Sequence, residues 1–135
     1  MTFQISAEHA AAQLAASIAF ADAGADISKI RLYSGADGAG TLLAEVALAK
    51  PCGTLSSGAL TLRPLDAGGA LVLASGIPRS GVWLNGTGAL VAVGTVTDAE
   101  HGGDFRVSGA GTAAGETSPT LYAGGLVLLG ALTFS

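Results

Sequence analysis

Charge is what this chain has least of. Lys and Arg together number 6 and Asp and Glu 10, so charged residues make up 12% of the 135 positions. Ordinary soluble domains carry about 25%. The six cations form no run, which argues against a nucleic-acid partner, because neutralising phosphates takes clustered Lys and Arg. Cysteine is nearly missing too. Cys52 stands alone, so no internal disulfide can form and the redox compartment is left open. Long apolar runs are also lacking. The C-terminal stretch 121–134, LYAGGLVLLGALTF, is interrupted by three glycines and falls short of the roughly 20 apolar residues that span a bilayer. Residues 9–21, HAAAQLAASIAFA, have the texture of a signal-peptide core. Yet no Lys or Arg precedes Lys29, and Glu8 and Asp22 flank the stretch, so neither a signal peptide nor a membrane span is expected.

What the chain does have is apolar and small. Half of its residues are hydrophobic, 21 are glycine, and the mean hydropathy is +0.56. The length suits one domain over 1–135 with a single core. So few charges leave little with which to cover the outside. Part of the surface is therefore expected to be hidden by a partner or by other copies of the chain.

One helix is legible, over about 7–23. Ser6 can cap it, Glu8 lies near the positive end of its dipole, and Gly24 stands where a helix stops. Ala11, Leu14, Ala15, Ile18 and Ala21 share one face at helical spacing. His9, Gln13, Ser17 and Phe20 share the opposite face, where Phe20 is the odd member and the candidate contact with a partner or a second copy.

After Gly24 the period becomes two, and a β domain is expected over about 28–135. Ile30 and Leu32, Leu60 and Leu62, and Phe105 and Val107 each alternate with polar neighbours. GVWLNGTGALVAV carries a strand on either side of Asn85-Gly86, a strong hairpin signal. Residues 126–134 place Leu126, Leu128, Leu132 and Phe134 on one side. About eight short runs separated by Gly-rich turns predict a mainly β chain, an antiparallel β-sandwich or barrel with one N-terminal α-helix. The stretch 109–119, GAGTAAGETSP, reads as a mobile loop.

Four features invite a chemical reading. In SGADGAGT (34–41) the glycines resemble a phosphate-binding loop, but Gly40 occupies the position of the required lysine and the following residues read as a strand. Asp98, Glu100, His101 and Asp104 lie within seven residues in DAEHGGD. Their spacing matches neither an EF-hand nor a zinc motif, so a plain turn is expected rather than a metal site. Cys52 reads as a small filler rather than a nucleophile. Trp83 could stack a sugar, though a lone Trp more often belongs to a core. No G-x-S-x-G elbow occurs, and His9 and His101 are the only imidazoles. Neither an enzyme nor a cofactor is expected.

Taken in order, the segments resemble a group of small virion proteins of tailed bacteriophages and prophages. The resemblance runs through the Ala-rich helix with its AGA bend, KIRLYSG, GTLLAEVALAKPCGTLSSGALTL, the central GVWLNGTGALVAVGTV and the closing TLYAGGLVLLGALTF. Those proteins often carry Pro in the loop after LYSG, whereas 35–40 has none. The resemblance implies a structural role in the virion, foremost as a capsid decoration (cement) protein bound over the major capsid protein. A tail or head-to-tail joining component is the nearest alternative. It also implies a homo-oligomer, with a trimer favoured because cement proteins of this kind often occupy local threefold positions. From a different class, a carbohydrate-binding β-sandwich using Trp83 stays open.

Overall fold

The computed structural model describes residues 6–56, 59–66 and 68–130. Helix α1 spans Ala7–Ala21 and ends two residues before the predicted limit. The Ser6 hydroxyl accepts from the His9 amide at 3.1 Å, as a cap should. Gly24, at φ +99°, supplies the left-handed residue that turns the chain away. Leu14 and Ala21 are buried and Ile18 packs against the core, whereas Ala15 faces out. Two bonds fasten the end of α1 to the sheet: the Lys50 ammonium donates to the Gly24 carbonyl at 2.8 Å, and the Cys52 amide to the Asp22 carboxylate at 3.0 Å.

Among the described residues eight strands follow: β1 (Lys29–Tyr33), β2 (Leu42–Ser56), β3 (Ala59–Pro64), β4 (Ala70–Leu71), β5 (Ser80–Leu84), β6 (Leu90–Thr97), β7 (Phe105–Ser108) and β8 (Leu126–Leu129). They form one sheet in the order β3-β2-β1-β5-β6-β7-β8-β4. The sheet curls until its end returns to β2. Val72, just past β4, bridges Ala44, and the Leu73 amide donates to the Leu43 carbonyl at 2.7 Å. The fold is thus the mainly β, barrel-like architecture with one N-terminal helix that the periodicity predicts.

Two features depart from the expected short antiparallel strands. β2 is 15 residues long and serves two partners, β1 through its first half and β3 mainly through its second. The pairing of β6 with β7 is parallel, because the segment 98–104 carries the chain back along β6 instead of reversing it in a hairpin. Every other strand pairing among the described residues is antiparallel.

The barrel encloses Trp83, Phe105, Ile30, Leu32, Leu43, Leu48 and Leu60, all essentially without exposure. A Cβ on Gly81 would stand 2.7 Å from the ring of Phe105, so this strand position has to lack a side chain for the aromatic to lie flat against it. The hairpin at Asn85 forms as expected. Its side-chain oxygen accepts from the amides of Thr87 and Ala89 at 3.0 and 2.9 Å.

The segment 109–119 is more firmly held than its composition suggests. The Asp98 amide donates to the Thr117 carbonyl at 2.8 Å, Arg79 pairs with Glu116 at 2.8 Å, and the buried Ser118 hydroxyl donates to the Val96 carbonyl. In β8 Leu126 and Leu128 share one side, as the alternation sets them, and that side is the outer one. Val127 points into the core while Leu126 and Leu128 point out; Leu132 and Phe134 lie outside the described residues.

Candidate functional site

The glycine-rich loop 34–41 is a closed connection between β1 and β2. The Ser34 hydroxyl accepts from the Thr41 amide at 2.9 Å, and the Gly35 amide donates to the Ala39 carbonyl at 2.9 Å. The Gly38 amide donates to the Ser80 hydroxyl at 2.8 Å, which in turn donates to the Gly35 carbonyl at 2.7 Å. These amides are spent inside the loop, and a strand follows where a phosphate site needs a helix N-terminus.

The acidic turn is organised around one carboxylate. Asp98 accepts from the amides of Glu100 and His101 at 3.0 and 3.1 Å, from the His101 ring at 2.6 Å and from the Thr112 hydroxyl at 2.7 Å. The Thr112 bond first, then that of His101, hold its pKa down at about 2, because each favours the charged form. Asp104 points elsewhere and accepts from the Thr95 amide at 3.0 Å. The four residues therefore do not converge. Among the described residues, no group of three or more His, Cys, Asp or Glu side chains is placed to hold a metal ion. Asp98 and His101 have the geometry of a catalytic pair, but Thr112 donates to the carboxylate and not to the imidazole, so this hydroxyl is not activated as a nucleophile.

Cys52 is fully buried, and desolvation, with the Asp22 charge second, pushes its thiol up to about 12. A thiol held protonated is a core atom, not a nucleophile. Trp83 has no exposure at all and offers no face to a sugar ring.

Phe20 is 47% exposed near the end of α1, on the side turned from the sheet. A larger apolar region lies on the outer face of β4 and β8. Leu71 and Leu126 are direct cross-strand partners, and Leu73 and Leu128 continue the two rows. With Leu65 beside them, five of the ten exposed large hydrophobics among the described residues are gathered on this face. A groove of about 270 Å³ runs along it, bordered by Glu45, Leu65, Asp66, Leu71 and Leu128. Glu45 itself is engaged, accepting from Arg31 Nε at 2.8 Å with Lys29 at 3.9 Å. The sequence pattern sets Leu126 and Leu128 on one side of β8 without marking which side is buried, and the structure makes it the outer side. The available signal was the absence of any polar alternate in LVL (71–73) and LVLL (126–129), which leaves both strand faces apolar.

No helix among the described residues is long and apolar enough to cross a membrane. No family model matches the chain, and no match was found among curated proteins or solved structures.

Proposed function

We propose that this chain is a structural protein of a tailed-phage virion, a decoration protein that binds over the major capsid protein and cements the head shell. The observation that carries this reading is the combination of a well-filled barrel with large apolar side chains left outside it, on the leucine face and at Phe20. A single domain with 12% charge needs such surface covered, and a shell of repeated subunits supplies many equivalent contacts. The absence of an activated nucleophile from the Asp98–His101 turn, the protonated Cys52 and the buried Trp83 favour this role over a hydrolase or a sugar-binding module.

The mechanism is linkage. A protein that binds the assembled shell but not its dissociated subunits stabilises the shell by mass action. In this reading Phe20, held in place because α1 is fastened to β2 through Lys50 and Cys52, provides one contact with the capsid. Burying one phenylalanine contributes roughly 1.5–3 kcal/mol, repeated at every copy. Co-sedimentation with capsid shells that lack the protein tests this. Wild type pellets with the shells, whereas Phe20→Asp stays largely in the supernatant although its circular dichroism is unchanged. Failure of the wild type to bind any shell of the phage that encodes it removes the proposal.

A further inference from the structure

We infer that the leucine face of β4 and β8 is the contact between two copies of this chain, related by a two-fold axis parallel to these strands. Across the outer surface the order is β7, β8, β4, β2. Leu126, Leu128, Leu71 and Leu73 fill the middle. On the β7 side the face is bounded by Arg106, which points outward between the buried Phe105 and Val107. On the β2 side it is bounded by the groove and by Asp66. Neither Arg106 nor Asp66 has an ion-pair partner among the described residues.

Register puts these two charges at the same end of the face. The Gly130 amide donates to the Arg106 carbonyl at 2.7 Å, which sets Arg106 level with the residue after β8. The Asp66 backbone carbonyl accepts from the Gly69 amide at 3.2 Å, and Gly69 abuts Val127 and Leu128. A two-fold axis along the strands keeps height and exchanges left for right. It therefore lays Arg106 of each copy over Asp66 of the other. The same operation sets Leu126 and Leu128 of one copy over Leu71 and the groove of the other. Apolar centre, receiving groove and opposite charges at matching height all fit a second copy of the same surface. An isologous contact of this kind is closed by one partner and gives a dimer. That differs from the trimer which the resemblance implies.

Nothing in this inference depends on the virion reading, and the test uses the isolated protein. Light scattering over a concentration series is expected to show a dimer. Leu126→Glu is expected to raise the dissociation constant at least about tenfold, as loss of a central apolar contact does. Arg106→Glu alone is expected to weaken association, and Arg106→Glu combined with Asp66→Arg to restore it. Circular dichroism of Arg106→Glu, expected to match the wild type, shows that the single variant is folded. A monomer, a trimer, a dimer indifferent to Leu126→Glu, or a double variant no better than Arg106→Glu would each overturn it. A monomer that still binds shells would sink this inference while leaving the proposed function standing.

Discussion

Leu71 lies directly opposite Leu126 in the pairing of β4 with β8, and both side chains point away from the core, 56% and 59% exposed. Cross-strand partners normally contribute to a sheet by packing on each other, but a pair this open still presents most of its surface to water. The barrel does not need it. Leu126→Thr, which keeps a good strand former, should change the unfolding free energy of the dissociated chain by no more than about 0.5 kcal/mol. Urea unfolding at low protein concentration measures this. A loss of several kcal/mol would make the face part of the fold rather than a contact surface.

Inside the barrel the tolerance is reversed. Gly81→Ala places a methyl 2.7 Å from the Phe105 ring and should cost about 1–3 kcal/mol by overpacking. Phe105→Leu in the same background should recover part of that loss, because the ring is the atom group in the way. A fully additive double variant in chemical denaturation would show that the two positions do not meet.

The link from Asp98 to Thr112 gives stability a sign with pH. The carboxyl has a folded pKa of about 2 against an ordinary 3.8, so its contribution is present above about pH 4 and disappears as pH falls through 2. Thr112→Val removes the largest cause of the shift. Its melting temperature should therefore lie below that of the wild type at neutral pH and approach it near pH 2. A difference that stays constant from pH 6 to about pH 2 would mean that the bond contributes nothing through ionisation.

Cys52 should be silent in the native state. Its thiol is buried and held up at about 12, so a thiol reagent at pH 8 should label it only after unfolding. Rapid labelling of native protein would contradict the barrel packing around β2.

Much of this architecture can be read from local pattern. Ile30 and Leu32, Leu60 and Leu62, and Phe105 and Val107 alternate with polar residues, and each strand buries the face so marked. Ser6 and Asn85 act through bonds to residues two to four positions away, which is why the helix start and the hairpin were legible. In β8 the buried side was not legible, because Leu126, Val127, Leu128 and Leu129 give neither face a polar residue, so period two cannot tell inside from outside. The parallel pairing of Val96 with Phe105 and the fastening of 109–119 by Asp98, Val96 and Arg79 depend on contacts between separate segments, which composition does not encode. The pairing of β4 with β8, which joins the two apolar runs into one face, was hidden for the same reason: its paired residues Leu71 and Leu126 stand 55 positions apart.

If this chain is a building element of a particle, quantitative mass spectrometry of purified virions from the phage or prophage that encodes it will find it there. The protein is expected at a fixed ratio to the major capsid protein, retained through washing and gradient purification. Its absence from purified particles, with the protein found only in the soluble fraction of the lysate, would contradict the account.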